Sequence, residues 1–329
     1  MTALPASARL WQLATGHFLP RCLHVVAELG VADHLDEAPA TLEALANATG
    51  ANADSLARIL RLLAVAGVFE ARGSSWAHTE LSRLLRSDHP QSMRAFAQMM
   101  ALPLFTATFG HLQHSLRTGS PALEQVAPEG LWPYLQAHPT QAEIFGQAMT
   151  AKAGADIAAV LGAYDFHRFG TIADIGGGRG HLLRAVLEAV PTAEGVLFDL
   201  PEVITIVDIG TERRTAQAGD FFVDPLPAAD AYILMEVIHD WPDVEAAAIL
   251  RAIRRAARDD ATVLIIEGVI DEQRPDPRVH TLDVVMLAFT GGRERSPDQL
   301  EKLLDSADLQ LNRIIKTTGP MSIIEATTT

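Results

Sequence analysis

Cysteine is nearly absent from this chain of 329 residues. Cys22 stands alone, so neither an intrachain disulfide nor a cysteine-based metal site can form. An excess of positive charge is also missing: 26 lysines and arginines face 41 acids, for a formal net charge of -15. Such a surface repels nucleic acid and anionic lipid over most of its area and favours a small-molecule partner. No run of about 18 or more apolar residues occurs, so no membrane span is expected. The first residues lack a basic segment followed by a continuous apolar core, so export is not expected either, and the cytoplasm is the expected compartment. No cluster of His, Asp or Glu has ligand spacing, and no metal is expected. What is present is 48% hydrophobic residues in a length that suits two domains of about 100 to 200 residues each.

The first hundred residues read as helices. Apolar residues recur at helical spacing from Leu10 to Leu29, and TLEALANATG and ADSLARILRLLAVAG follow. Thr41 is placed to cap the first of these and Gly50 to end it, with Asp54 as cap of the next. VFEARGSSWAHTE then reads as a two-stranded wing, so residues 1–100 carry the order of a winged helix. A DNA-reading helix should offer several groove-reading side chains, and this one exposes little beyond Arg58 and Arg61, so dimerisation is the better reading. From about Met93 to Leu161 the chain continues with helical segments rich in Met, Phe and His, suited either to a core or to the wall of a planar-ligand pocket. The Pro-rich PALEQVAPEGLWPYLQAHP between them reads as a surface connection.

After Gly170 the pattern changes. TIADIG, GVLFDL, AYILMEV and TVLIIEGVI are apolar runs of strand length, separated by helical segments. Alternating strands and helices imply an α/β fold with a parallel sheet covered on both faces, whose ligands bind at the carboxyl ends of the strands. At the first of those ends lies DIGGGRG, Asp174 to Gly180. A dinucleotide fingerprint would place glycine where His181 stands, and the observed glycine spacing behind an acid fits an S-adenosylmethionine loop better. Asp199 ends the second run at the distance of a ribose-binding acid. Gly219, Asp220 and Phe221 of AGDFF supply an acid for an adenine amine and a ring for its face. His239, in ILMEVIHDW, ends the third run, and Glu267 lies near the end of the fourth. A glutamate accepting from one imidazole nitrogen would leave the other free to take a proton.

In this order and at these intervals, DIGGGRG, FDLP, GDFF, EVIHDWPD, IIEGVI and GGRERS resemble the caffeate- and hydroxyindole-like small-molecule O-methyltransferases that use S-adenosylmethionine. The resemblance covers nearly the whole chain. It implies a Rossmann-like methyltransferase sheet in residues 101–329, a helical winged-helix-like dimerisation domain in 1–100, and a homodimer. It also implies S-adenosyl-L-methionine bound by Asp174, Gly176, Gly178, Asp199, Leu200, Gly219, Asp220 and Phe221, with S-adenosyl-L-homocysteine as product. His239 matches the family's base, flanked by Glu267 and Glu294. Phe145, Met149 and Met286 match positions that contact the acceptor, expected to be a small phenolic or heteroaromatic metabolite of the kind found in antibiotic biosynthesis. Two departures set the chain apart from plant members: Met235 and Glu236 replace a Lys-Trp pair, and MLAFTGG lacks an asparagine and a proline. Methylation of a ring nitrogen or carbon is the second enzymatic reading, and a ligand-sensing winged-helix regulator the third.

Overall fold

Thr41 accepts from the amide of Ala44 at 3.2 Å and Gly50 adopts φ +66, so helix Leu42–Thr49 begins and ends where the sequence signals it. The next helix, Ala53–Val65, corrects a detail: Asn52, not Asp54, is its cap, accepting from Ser55 at 3.0 Å. Asp54 falls in the first turn instead, where a negative charge is favourable. The computed structural model describes residues 4–207, 210, 212–258 and 260–328. They form two compact units.

The first unit comprises residues up to Thr106 together with Thr140–Lys152. The segment of helical spacing from Leu10 to Leu29 falls on two helices, Ala6–Ala14 and Phe18–Glu28. Strands β1 (Ala40–Thr41), β2 (Phe69–Arg72) and β3 (Ser75–His78) form an antiparallel sheet in the order β1-β3-β2. With the two capped helices this is the expected winged-helix arrangement. Its core gathers Val26, Leu45, Leu56, Leu60, Leu63, Phe69 and Trp76, of which Leu56, Leu60 and Leu63 belong to the apolar stripe of helix Ala53–Val65. Helix Ala6–Ala14 buries none of its residues, and Leu10, Trp11 and Leu13 are all exposed.

The second unit comprises Ala107–Pro139 and the chain from Ala153 onward. Its strands are β4 (Thr171–Ile175), β5 (Glu194–Asp199), β6 (Arg214–Ala218), β7 (Ala231–Met235), β8 (Thr262–Gly268), β9 (Leu309–Lys316) and β10 (Met321–Thr328). They lie in the order β6-β5-β4-β7-β8-β10-β9, parallel except for β10, which runs antiparallel to both its neighbours. Successive residues alternate between the faces. Ala173, Ile175, Tyr232, Leu234, Val263 and Ile265 pack with helices Asp243–Ala256 and Pro297–Asp305. Ile172, Leu197, Ile233, Leu264 and Ile266 pack with helix His181–Ala189 and with Ile157 and Val160.

Strands β6 and β9 escape the search for apolar runs because edge strands alternate polar and apolar side chains, as in RTAQA and LQLNRIIK. The Pro-rich stretch expected on the surface is corrected too. It contains helix Leu131–Ala137, and Ala122, Leu123, Ala127, Leu131 and Leu135 are buried. Pro121 precedes the 3-10 turn Ala122–Gln125 and Pro139 opens helix Pro139–Ala163, positions where the missing N–H costs nothing.

Candidate active site

The strand ends of β4, β5 and β6 come together around the glycine loop. Gly176, Gly178 and Gly180 have φ of +66, +57 and +69, a region that side chains enter only at a cost of about 1–2 kcal/mol per residue. Gly177 is required for a different reason: a Cβ there would lie 2.4 Å from Asp174 Cγ and 2.6 Å from Leu197 Cδ1. The loop therefore presents backbone at its rim, and a Cβ on Gly178 would meet nothing within 4 Å. Asp174 is buried beneath it, and no hydrogen-bond partner among the described residues reaches its Oδ2. Burial first, and the neighbouring Asp199 charge second, push its carboxyl up to about 7.

Asp199 ends β5 and is tied to the loop. Its Oδ2 accepts from the Gly178 amide and its Oδ1 from the Leu200 amide, each at 2.7 Å. Burial raises this carboxyl against the lowering effect of those two amides. Gly219 donates its amide to the Asp199 carbonyl at 3.0 Å, which holds the start of AGDFF against the end of β5. Asp220 accepts from the Phe222 amide at 2.9 Å. The Phe221 ring comes within 3.7 Å of where a Cβ on Gly176 would be, and it meets Trp241 edge-on with centroids 5.9 Å apart.

His239 does not lie on β7. The strand stops at Met235, Glu236 turns the chain with φ 55, and His239 sits buried in the 3-10 turn Ile238–Asp240. Its ring Nδ1 lies 2.7 Å from Glu294 Oε1. Glu267, the residue expected to hold the ring, instead accepts from the His239 backbone amide at 2.9 Å. The ring partner is thus Glu294, brought in from a segment 55 positions away. Asp240 Oδ1 stands 3.8 Å from the other ring nitrogen, Nε2.

Burial acts to lower the imidazole pKa. The Glu294 hydrogen bond and the charges of Asp240, Glu294 and Glu267 outweigh it and raise the group to about 10. Burial likewise pushes Glu267 up to about 7, against the His239 charge.

Glu294 is held in turn. Its amide donates to Asp283 Oδ1 at 3.0 Å, and Asp283 belongs to helix Pro277–Phe289, one turn before the buried Met286. Phe145 and Met149 are one turn apart on helix Pro139–Ala163, both half-buried, in the stretch that belongs to the first unit. Asp283, Gly292 and Arg295 escaped the sequence reading. The only signal was their position inside or near GGRERS.

A glycine loop leading two strand-end acids, on a sheet of this strand order, is the plan of a nucleoside-binding α/β enzyme. An O-methyltransferase domain model matches residues 109–310, and an O-methyltransferase dimerisation domain model matches 11–88. Phenazine O-methyltransferase PhzM of Lysobacter antibioticus is 37% identical, over 98% of this chain and 97% of that protein. The 8-amino-8-demethylriboflavin N,N-dimethyltransferase of Streptomyces davaonensis is also 37% identical, over 97% and 95%. The crystal structure of CalO1, a methyltransferase in calicheamicin biosynthesis in its S-adenosylhomocysteine-bound form, is 33% identical with a TM-score of 0.87 and covers 100% of both chains. The chain belongs to the O-methyltransferase family and is an S-adenosylmethionine-dependent O-methyltransferase. No described helix is long and apolar enough to cross a membrane.

Proposed function

We propose that this enzyme methylates a hydroxyl of a small aromatic metabolite, with His239 as general base. The observation that carries this reading is the 2.7 Å contact between His239 Nδ1 and Glu294 Oε1. A carboxylate there favours the tautomer with its proton on Nδ1, which leaves Nε2 to accept. S-adenosylmethionine, when bound, supplies a methyl group made electrophilic by the sulfonium charge, and it leaves as S-adenosylhomocysteine. The chain's own groups fit it. Asp199 retains acceptor capacity on both oxygens for ribose hydroxyls, Phe221 offers a flat apolar face and Asp220 an acid for the adenine, and the loop from Asp174 through Gly176 and Gly178 presents backbone. Leu200 and Gly219 complete the proposed set.

His239 takes the acceptor's hydroxyl proton on Nε2 while the oxygen forms its bond to carbon, and the electron pair of the broken carbon–sulfur bond stays on sulfur. A phenol titrates near 10 and an ordinary imidazole near 6.5; the raised His239 pKa narrows that mismatch, and only the form with Nε2 unprotonated acts, a fraction that grows as pH rises. The acceptor contacts that family resemblance assigns to Phe145 and Met149, and to Met286, belong to this proposal. So do a homodimer, which the dimerisation-domain match and the exposed Leu10, Trp11 and Leu13 support, and a cytoplasmic role in secondary metabolism.

The test is turnover of hydroxylated aromatics with labelled S-adenosylmethionine by wild type and His239→Ala. A loss of about 10²- to 10⁴-fold is expected. Undiminished turnover would remove the base. A second reading, methylation at nitrogen, is favoured by the relationship to the riboflavin-analogue N,N-dimethyltransferase. Amine acceptors that turn over equally well with and without His239 would establish it.

A further inference from the structure

Arg295 is a positively charged side chain with only 1% of its surface exposed. Its guanidinium reaches both sides of the histidine turn. Nη1 donates to the Ile238 carbonyl at 3.2 Å and Nη2 to the Trp241 carbonyl at 2.8 Å. Nε and Nη2 both donate to Asp243 Oδ1, at 3.0 and 2.9 Å. The carbonyl of His239 itself accepts from the Arg293 amide at 2.9 Å. Between them, residues 293 and 295 thus engage three of the four carbonyls from Ile238 to Trp241.

The approach is so close that a Cβ on Gly292 would fall 2.0 Å from the His239 oxygen. The segment is anchored at its far end as well, since the Arg295 carbonyl accepts from Ile270 at 3.0 Å, just beyond β8. The turn needs such a clasp because it follows a residue in left-handed conformation and belongs to no ladder. Only a planar fork with five donors can satisfy acceptors spread on both sides of a turn. Burying the cation is costly, and Asp243 with the carbonyls offsets that cost.

We infer that Arg295 is a positioning residue, whose guanidinium clasps the Ile238–Trp241 turn so that the His239 ring meets Glu294. The inference rests on the proposed role of the His239–Glu294 pair. A purely structural arginine would stabilise the unit without setting the state of that ring. The charged groups around the ring are Glu294, Glu267 and Asp240, with Arg295 behind the turn and Asp243 beyond it.

The deciding experiment follows the imidazole nitrogens of His239 by NMR through a pH titration of histidine-labelled protein, in wild type, Arg295→Lys and Asp243→Asn. His239→Asn identifies the resonance. Lysine keeps the charge and loses the fork, so any shift it causes reports lost geometry. Binding of S-adenosylhomocysteine by calorimetry serves as the control. We expect both variants to bind it within about threefold of wild type, and His239 to titrate at least about one pH unit lower than in wild type. Unchanged His239 titration, with only a lower melting temperature, would overturn the inference. So would failure of both variants to fold, or loss of S-adenosylhomocysteine binding alongside. A wild-type His239 that titrates at its ordinary value would instead sink the His239–Glu294 reading, and that outcome does not involve Arg295.

Discussion

His239 Nδ1 and Glu294 Oε1 lie 2.7 Å apart, both side chains are almost wholly removed from solvent, and 55 positions of chain separate them. Glu294 Oε2 is buried and no hydrogen-bond partner among the described residues reaches it. The pair is therefore most of what compensates each group's burial. Removing one partner should be costly: Glu294→Ala is expected to destabilise the protein by about 3–5 kcal/mol, because it leaves a buried imidazole without its carboxylate. Urea unfolding at neutral pH measures this.

The pH dependence of methyl transfer should carry the signature of the raised imidazole. A base must be unprotonated to act, so activity falls as pH drops through its pKa. With His239 raised to about 10, kcat/KM on a fixed phenolic acceptor should climb well past 6.5. In Glu294→Gln, which retains the shape without the charge, the climb should end lower, since burial then acts with less opposition. Equal profiles in both proteins would show that His239 does not set this limb.

The same shift has a consequence for folding. Because the folded-state value lies above the unfolded one, the stabilisation from the His239 proton is fully present below about 6.5 and is lost as pH rises through about 10. The urea midpoint should fall across that window in wild type and fall less in His239→Gln. Glu267, raised to about 7, adds a loss of the same sign at lower pH.

Gly292→Ala should be among the most damaging single-methyl additions in the molecule. The new Cβ would lie 2.0 Å from the His239 carbonyl oxygen and 2.5 Å from the Asp240 carbonyl carbon, both of them backbone atoms. Overpacking of this kind costs about 1–3 kcal/mol or more, and relief requires the histidine turn to move. A fall in melting temperature together with a loss of turnover is expected. Gly73→Ala, where nothing lies within 4 Å but φ is +64, should lose stability by strain alone and keep turnover.

Asp199→Ala should weaken S-adenosylhomocysteine binding about ten- to hundredfold, the worth of hydrogen bonds to a charged acceptor. The variant also frees the Gly178 and Leu200 amides, so thermal unfolding without ligand must be compared alongside. Binding unchanged in a folded variant would remove Asp199 from the proposed cofactor site.

Much of this was legible in the chain itself. The period of the apolar residues, 3.6 before Gly170 and strand-like after it, determined which half is helical and which is α/β. The glycines of DIGGGRG and the acids Asp199 and Asp220 fell at the strand ends, because a parallel sheet brings every carboxyl end to one edge whatever the loops between. The ends of helices followed the capping residues to within a position or two, as with Thr41 and Gly50. Edge strands β6 and β9 stayed hidden, since half their side chains meet water and their pattern resembles a loop.

What tertiary structure alone decided is which carboxylate meets which nitrogen. Glu267 and Glu294 carry the same side chain and both converge on His239. Strand β8 delivers Glu267 to the backbone amide, whereas the close approach at Gly292 and the fork of Arg295 bring Glu294 to the ring. Spacing along a sequence encodes periodic structure, because regular elements repeat over a few residues. A contact made across 55 positions depends on two backbones meeting within van der Waals distance, and that is settled only when the whole sheet edge is assembled.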